Sequence, residues 1–397
     1  MTIGENNIKL PLDGVRIIDF SWIIAGPTAT RHLALMGAEV IKVGSKRRPD
    51  PSLSGPPFEV YNQSKQYCEL NLSIKESKAI ASDLISTADV VIENFASGVF
   101  ERMGYGYEVV KKWKPDVVMI SSAGTGHSGP DKDFVAYGSL LQHYTGWNTI
   151  SGSENRNGEP IKGGLWADPW VGMELAMILM AALNHRILTG NGSFVDYSMA
   201  ESLTASISPS LIEYQINKTL PSPIGNSSQT EYPHGLYPCI GEDKWVAIRI
   251  TNTESWKKLC HIIGAANLSE NESLNLVENR KAISKELDST ITKWTKTQTD
   301  YSVMEQLQSV GIEALPSLDI SRVYEEPYLN DVGFMVNTSI DSKEVVLPSL
   351  PWDFGVENSM NMKPAPKLGS GNKAIYEELL GLDVATVNQM IEQKIIY

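Results

Sequence analysis

Cysteine and histidine are both scarce in this chain of 397 residues. The three cysteines, Cys68, Cys239 and Cys260, are odd in number and share no metal-type spacing. This pattern argues against a disulfide framework and favours a reducing compartment. The six histidines form neither an H-x-x-x-H pair nor a cluster with cysteine, so the sequence predicts no metal site.

Long apolar segments are also missing. The polar residues 1–14 lack the apolar core of a secretory signal. The longest apolar run covers residues 170–183, is interrupted by Glu174, and is shorter than the roughly 20 residues that a bilayer requires. The run is typical of a buried core helix, so we expect a cytoplasmic protein without a membrane partner.

Positive charge is in short supply. The chain has 34 lysines and arginines against 47 acidic residues, and its net charge is -13. Such a chain repels nucleic-acid phosphates, which argues against a nucleic-acid partner. The densest cations, Lys42, Lys46, Arg47 and Arg48, follow a predicted strand. They fit either a solvated loop or a phosphate site at the carboxyl end of a parallel strand.

Predicted strands and helices alternate in the first part of the chain. Runs of β-branched residues predict strands at 15–20, 39–43, 89–95 and 116–121. Helical patterns separate these strands, as in a doubly wound, mostly parallel sheet. A further predicted strand, 245–250, begins a smaller α+β unit. Since single cores seldom grow beyond about 250–300 residues, two domains are expected.

A glycine-rich segment, GTGHSG at residues 124–129, fits G-x-G-x-x-G and follows a predicted strand. A dinucleotide fingerprint must also open a helix, whereas Pro130 and Asp131 come next. A glycine-rich turn is therefore favoured over a nicotinamide site. The sequence also lacks a G-x-S-x-G elbow, which argues against a hydrolase serine.

Asp168 and Pro169 form the sharpest local feature. Aspartate at an N-cap followed by proline at the first helical position is a common helix start. The same carboxylate would feel the positive end of the helix dipole, which favours its ionised, nucleophilic form. Local sequence alone favours a cap over a reactive group.

Several segments, taken in order, resemble the class III coenzyme A (CoA) transferases, the CaiB/BaiF group that includes formyl-CoA transferase. The resemblance covers nearly the whole chain, and several blocks in the right order are more specific than any single motif. The blocks are LPLDGVRIIDFSWIIAGPTATRHLALMGAEVIKV, NQSKQYCELNL, ADVVIENFASGVFERMG, GLWADPWVGMELAMILMAALNHRILTGNGSFVDYSMAES, PHGLYP and PAPKLG.

The resemblance implies a fold and a reaction. The fold is α/β, with a large Rossmann-like, CoA-binding domain from residues 1–215 and 330–397, a small α+β domain from 230–325, and an interlocked homodimer. In the reaction, Asp168 attacks an acyl-CoA, becomes an aspartyl-CoA thioester and passes CoA to a carboxylic acid. No metal, ATP or other permanently bound cofactor is implied, and acyl-CoA is the substrate.

The resemblance also supplies candidate site residues. Lys46 and Arg47 lie one or two positions beyond Ser45, where the family has a basic residue, and Ser73 replaces a lysine of formyl-CoA transferase. The adenine contacts therefore depart from the family pattern. The other CoA-binding candidates are Ile23, Ile24, Leu70, Asn94, Phe95, Arg102 and Met103, with Arg102 as the phosphate partner. The candidates for the substrate pocket are Trp22, Tyr137 and Trp166.

Two departures bear on the substrate. Ile24 takes the place of a glutamine of formyl-CoA transferase, and residues 226–232 (NSSQTEY) take the place of its glycine-rich loop. Formate and oxalate are therefore not expected. Aromatic residues in the matched segments predict a roomy, apolar acyl pocket and a larger acceptor, aromatic or branched, although aromatics fill ordinary cores equally often.

Two other functions stay open. An acyl-CoA racemase or isomerase of the same fold would need a histidine beside the aspartate to move an α-proton. That position falls on Tyr137, and a tyrosine, whose ordinary pKa is about 10, is a poor base at neutral pH. CoA transfer is therefore favoured. A non-catalytic CoA-binding or scaffold protein would keep the fold without a reactive Asp168.

Overall fold

The chain forms two compact units. The computed structural model describes residues 10–53, 55–153, 165–340, 343–355 and 362–397. The large unit comprises Met1–Trp147, Lys162–Lys218 and Leu329–Tyr397, and the small unit comprises Asn148–Ile161 and Thr219–Tyr328. The large unit thus draws on both ends of the chain.

A six-stranded parallel sheet forms the centre of the large unit. Its strands are β1 (Arg16–Asp19), β2 (Glu39–Gly44), β3 (Gln66–Glu69), β4 (Val90–Glu93), β5 (Val118–Ala123) and β6 (Ser193–Ser198). Their spatial order, β3-β2-β1-β4-β5-β6, is that of a doubly wound, Rossmann-like sheet. The order reverses between β1 and β4, which leaves a crevice beyond the carboxyl ends of these two strands.

Helices cover both faces of this sheet. In chain order the helices of this unit begin with α1 (Ala25–Leu35), α2 (Pro56–Tyr61), α3 (Ser77–Ser86), α4 (Val99–Arg102), α5 (Tyr107–Trp113), α6 (Gly138–Tyr144), α8 (Ala167–Thr189), α9 (Met199–Ser206) and α10 (Ser208–Asn217). A short helix, α7 (Trp147–Ile150), contains the point at which the chain passes from the large unit to the small one. Adjacent side chains of β1 enter different apolar clusters. Ile17 packs in the cluster that includes α1 and α8, and Ile18 in the cluster that includes α3 and α5. Burial on both faces explains why the central strands β1, β4 and β5 carry consecutive apolar residues.

The predicted α/β fold with a parallel sheet is confirmed. Strands β3 and β6 are not among the predicted strands. Both lie at edges of the sheet, and their sequences, QYCE and SFVDYS, contain no two consecutive β-branched residues, the pattern that predicted the other strands.

Helix α8 is 23 residues long, longer than the predicted apolar run. By length and composition it could cross a bilayer, a test that core helices of soluble proteins also pass. Val171, Leu175 and Leu179 are buried, so the predicted core helix is confirmed for that face. The opposite face is exposed and carries Trp170, Met173, Met177, Met180, Ile187 and Leu188.

An antiparallel sheet organises the small unit. Its strands are β7 (His234–Pro238), β8 (Trp245–Arg249) and β9 (Glu313–Ser317), in the order β7-β8-β9. Its helices are α11 (Thr253–Ile262), α12 (Ala266–Glu270), α13 (Val277–Ala282), α14 (Ser284–Thr295), α15 (Asp300–Gln308) and α16 (Ile320–Glu325). Trp256 fills the core, and the Arg280 guanidinium lies over its ring, 5.4 Å from the centroid. This unit has the predicted α+β composition.

The chain then returns to the large unit. The elements here are α17 (Pro327–Asp331), the hairpin of β10 (Met335–Ile340) and β11 (Lys343–Pro348), a wide helical turn (Ala374–Leu379) and α18 (Val384–Glu392). The hydroxyl of Tyr376 donates to the carbonyl of Glu69 on β3. The N–H of Asn71 donates to the carbonyl of Ile395 at 2.8 Å, and Ile395 and Ile396 enter the apolar cluster around Ile18.

Candidate active site

A side-chain clamp joins the loops that follow β1 and β4. Asn94 accepts the N–H of Trp22 through Oδ1 at 2.7 Å and donates through Nδ2 to the Trp22 carbonyl at 2.9 Å. The rings of Trp22 and Phe95 meet edge to face with centroids 5.2 Å apart. Because both hydrogen-bonding groups of the Trp22 backbone are held by one amide, the two loops are fixed to each other at the crevice.

Ile23 is held in a strained backbone conformation. Its φ of 67° lies in the left-handed region, which β-branched residues rarely adopt. Its N–H donates to the carboxylate of Asp50 at 3.2 Å, and Asp50 forms an ion pair with buried Lys42 at 3.3 Å. Lys42 also donates to the carbonyl of Ser21 at 2.6 Å. Such strain persists only where the surroundings enforce it, and here it sets the path of the chain into α1.

Two neighbouring cavities occupy this crevice. One, the Asp168 cavity, has a volume of about 410 Å³ and includes Asp168 in its wall. The other, the Arg102 cavity, has a volume of about 470 Å³ and includes Arg102. Both are lined by Trp22, Arg48, Phe95 and Val99. These shared walls make the cavities adjacent, so one long ligand can occupy both.

Most of the predicted site residues line these cavities. Those in the Asp168 cavity are Trp22, Ile23, Ile24, Asn94, Phe95, Tyr137 and Asp168. Those in the Arg102 cavity are Trp22, Arg47, Leu70, Phe95, Arg102 and Met103. Two predicted residues line neither cavity. Lys46 pairs with Glu69 at 3.5 Å, and the ring of Trp166 packs against that of Trp147 with centroids 4.3 Å apart.

Three arginines give the Arg102 cavity positive charge although the chain is acidic. Arg47, Arg48 and Arg102 line it, and the Arg48 guanidinium lies 5.2 Å from the centroid of the Trp22 ring. Arg48 belongs to the basic cluster of the sequence but is not among the predicted site residues. Lys42, from the same cluster, is fully buried and supports the loop after β1, so the cluster is not simply a solvated loop.

Asp168 lies in the first turn of α8, as its second residue, and Trp166 occupies the N-cap position. The predicted N-cap position of Asp168 is therefore wrong, because the helix already begins at Ala167. Only 7% of Asp168 is exposed. Burial raises the pKa of Asp168 to about 6, and no charged group in the described part of the chain offsets this effect. The carboxyl is still mainly ionised at pH 7.

Gly138, the first residue of α6, makes room for this carboxylate. A Cβ atom at position 138 would lie 2.1 Å from Oδ1 of Asp168, a distance that non-bonded atoms do not reach. The glycine therefore permits the close approach of α6 to Asp168. Nothing in the local sequence distinguishes this glycine from one in an ordinary turn.

Residues 12–372 match the family profile described as CoA-transferase family III. The chain belongs to CoA-transferase family III. It is therefore an enzyme that transfers CoA between acids, and acyl-CoA is its substrate. The family predicted from the sequence blocks is confirmed.

Individual relatives of this family III transferase agree. Succinate–glutarate CoA-transferase of Agrobacterium fabrum is 27% identical over 397 residues, which covers 94% of this chain and 96% of that one. A CoA-transferase of Mycobacterium tuberculosis, described as probable, is 27% identical over 403 residues, which covers 98% of this chain and 50% of that one. The chain thus spans half the length of that relative. The crystal structure of a CaiB/BaiF family protein from Brucella suis has a TM-score of 0.84 and 25% identity, covering 94% of this chain and 100% of that one.

A serine, a histidine and an aspartate also meet in this family III transferase. Ser121 Oγ and His127 Nε2 are 2.9 Å apart, and His127 Nδ1 and Asp196 Oδ1 are 3.0 Å apart. The set resembles a hydrolase triad, but Ser121 is fully buried and its hydroxyl donates a hydrogen bond to the Glu93 carboxyl group. Burial raises the pKa of Glu93 to about 8, so this carboxyl is mainly neutral where it accepts the N–H of Phe95 at 2.8 Å. The network supports the loop that carries Phe95.

No group of three or more metal-ligating side chains occurs in the part of the transferase that the structure describes. The walls of the two cavities carry the Asp168 carboxylate, three guanidinium groups, the amides of Asn71 and Asn94, hydroxyls and apolar side chains. Asp50 and Gly138 are functional candidates that sequence reasoning missed, because each becomes significant only through a contact with a residue distant in sequence.

Proposed function

We propose that Asp168 is the nucleophile of this transferase and carries CoA as an aspartyl thioester. The observation that carries the proposal is the position of Asp168, a buried carboxylate in a cavity that adjoins a second one lined by three arginines. A nucleophilic carboxylate must be ionised, and a pKa of about 6 leaves Asp168 mainly ionised at neutral pH. Burial also helps to keep water away from a thioester.

The proposed reaction has four acyl-transfer steps and no net proton transfer. The Asp168 carboxylate attacks the carbonyl carbon of the donor thioester, the C–S bond breaks, and a mixed anhydride and CoA thiolate result. The thiolate attacks the aspartyl carbonyl, which releases the donor acid and leaves aspartyl-CoA. The acceptor carboxylate then attacks this thioester and frees the thiolate again. Attack of the thiolate on the acceptor's acyl carbon yields the new acyl-CoA and regenerates Asp168.

We assign the phosphates of CoA to the Arg102 cavity and its thioester to the Asp168 cavity. Guanidinium groups match phosphate geometry, and the cations of the Arg102 cavity are Arg47, Arg48 and Arg102. The walls shared by the two cavities provide a continuous path for the pantetheine arm. Lys46 is left out of this assignment because its ammonium group is paired with Glu69.

The acceptor acid is proposed to be larger than formate, either aromatic or branched. The Asp168 cavity has a volume of about 410 Å³, and apolar parts of Trp22, Phe134, Val135 and Tyr137 line it. Such walls favour an apolar acyl group by excluding water. A screen of carboxylic acids against a few acyl-CoA donors tests this proposal. Transfer restricted to acids of one or two carbons would contradict it.

The aspartyl thioester can be detected directly. The enzyme is incubated with an acyl-CoA donor, treated with hydroxylamine or borohydride, digested and examined by mass spectrometry. The expected modification is at Asp168. Absence of an adduct in an enzyme that turns over would exclude the covalent route. Deuterium incorporation at the α-carbon without any acid acceptor would instead support racemisation.

We further propose that two copies of the chain form an interlocked homodimer. The exposed apolar residues of α8, which include Trp170, Met173, Met177 and Met180, lie along one side of the helix. Apolar surfaces of this kind usually meet another protein surface, and the CaiB/BaiF resemblance implies a dimer. Light scattering is expected to give twice the mass of the chain. A monomer at micromolar concentration would contradict the proposal.

A further inference from the structure

The wall of the Asp168 cavity contains a hydroxyl group without a partner. Ser122 lines this cavity and is only 1% exposed. Within the described residues, its Oγ makes no hydrogen bond. Buried hydroxyls are nearly always hydrogen-bonded, and an unpaired one destabilises the folded protein. The unpaired hydroxyl therefore points to a partner that is not part of the chain.

Strand geometry places Ser122 on the side of the sheet where Asp168 lies. Side chains alternate along β5, so Ser122 shares a face with Val118 and Ile120. Those two residues belong to the apolar cluster that includes α8, whose first turn carries Asp168. Ser121 projects to the opposite face and has its partners there. Of the two adjacent serines, only Ser122 is in a position to face substrate.

Two other polar side chains of the cavity, Asn94 and Arg48, have contacts within the chain. Both functional atoms of the Asn94 amide bind the backbone of Trp22, and the Arg48 guanidinium lies over the Trp22 ring. An acyl carbonyl oxygen that enters the Asp168 cavity requires a donor. A serine hydroxyl has one hydrogen to donate and reorients by rotation about single bonds. Ser122 meets this need without adding charge near the nucleophile.

We propose that the Ser122 hydroxyl donates a hydrogen bond to the carbonyl oxygen of the bound acyl group. The inference rests on the proposed function of Asp168 and adds a substrate contact to it. When the carboxylate attacks, negative charge develops on this oxygen as the carbonyl carbon becomes tetrahedral, so the hydrogen bond strengthens. The proton stays on Ser122 throughout, and the bonds that form and break are those of the transfer steps already given.

Two unreactive ligands isolate this contact. The ketone analogue of acetyl-CoA, in which CH₂ replaces sulfur, keeps the carbonyl oxygen but cannot transfer its acyl group, and S-ethyl-CoA lacks that oxygen. Ser122→Ala is expected to weaken binding of the ketone about three- to tenfold in calorimetric titrations, the usual range for one neutral hydrogen bond. Its affinity for S-ethyl-CoA is expected to equal that of the wild type.

Ser193→Ala is the matched control. Ser193 carries another buried, unpaired hydroxyl in the described chain, at the start of β6, but does not line the cavity. This variant is expected to bind both ligands as the wild type does. Ser122→Ala is expected to melt no lower than the wild type, since it removes an unsatisfied group. Loss of affinity for both ligands alike, or for neither, would overturn the inference.

The same measurements separate this inference from the proposal on Asp168. If the wild type prefers the ketone, and Ser122→Ala abolishes that preference, the Ser122 contact stands even when no aspartyl-CoA adduct can be trapped. If the adduct forms at Asp168 but Ser122→Ala binds the ketone as tightly as the wild type, the Ser122 contact alone is refuted.

Discussion

Asp19 and Asp168 are both buried carboxylates of the large unit, yet their surroundings shift their pKa values in opposite directions. Burial by itself raises the pKa of a carboxyl group. At Asp19, the ammonium groups of Lys65 and Lys42, together with two hydroxyls, outweigh burial and lower the pKa to about 2. At Asp168, burial is not opposed and raises the pKa to about 6.

The hydrogen bonds around the two carboxylates explain this difference. The Lys65 ammonium donates to Asp19 at 3.1 Å, to the Pro27 carbonyl at 3.0 Å and to Asn62 at 2.9 Å, which satisfies all three of its hydrogens. Asp168 instead faces a cavity. Burial alone therefore does not mark a reactive carboxylate. A buried carboxylate that forms no ion pair (an unmatched carboxylate) is suited to bind or attack a ligand. A buried carboxylate that is paired with a cation (a matched carboxylate) is suited to stabilise the fold.

The most direct way to break this comparison is to remove the unmatched carboxylate. Asp168→Ala is expected to lower acceptor-dependent CoA exchange at least about a thousandfold, because the nucleophile is lost. The melting temperature is not expected to fall, since no ion pair is broken. Activity equal to that of the wild type would leave Asp168 without a chemical role.

Removal of the matched carboxylate should damage the fold instead. Asp19→Asn is expected to lower the free energy of unfolding by about 3–5 kcal/mol, because Lys65 loses its charged partner while still buried. Denaturant unfolding measures the loss. The double variant with Lys65→Met removes both charges and is expected to recover most of it. A loss below about 1 kcal/mol in the single variant would contradict the view that this pair stabilises the fold.

The pH dependence of stability sharpens the comparison. The pKa of Asp168 is about 6 in the folded chain, above the roughly 3.9 of an unfolded aspartate, so ionisation opposes folding as pH rises from 4 to 6. The two-unit difference corresponds to about 3 kcal/mol. Asp168→Asn is expected to be more stable than the wild type by up to this amount at pH 8 and equally stable near pH 4. A pH-independent difference in unfolding free energy would contradict this.

A smaller effect is expected from displacing the carboxylate without changing its charge. In Gly138→Ala, the new Cβ would lie 2.1 Å from Oδ1 of Asp168, so the carboxylate must move. Such a shift is expected to lower kcat by up to about a hundredfold. Gly235→Ala is the control, because no atom lies within 4 Å of its new Cβ. Equal kcat values for the two variants would mean that the position of Asp168 is not critical.

The sheet and much of the crevice could be predicted from sequence. Strands β1, β2, β4 and β5 are apolar on both faces, and a doubly wound order places the ends of β1 and β4 together. That order alone accounts for the proximity of Trp22 and Asn94. The edge strands β3 and β6 escaped prediction because neither contains two consecutive β-branched residues.

What could not be predicted depends on contacts between distant residues. The Asp168–Pro169 pair has the pattern of a helix cap, but the helix begins two residues earlier, at Ala167, and leaves Asp168 inside its first turn. The relevance of Gly138 follows from its close approach to Asp168, and that of Ser122 from an unsatisfied hydroxyl. Neither feature leaves a pattern in the local sequence.

The packing of residues 374–396 against β3 and the residues that follow it also affects how the chain folds during translation. Tyr376 and Glu69, which form one of these contacts, are 307 residues apart in sequence. At roughly 5–20 residues per second, a ribosome takes on the order of 15–60 s to add the residues that separate them. During that interval the nascent chain presents the apolar side of its first strands without their final cover. We therefore expect this transferase to depend on chaperones during translation more than proteins whose early strands are covered by adjacent segments.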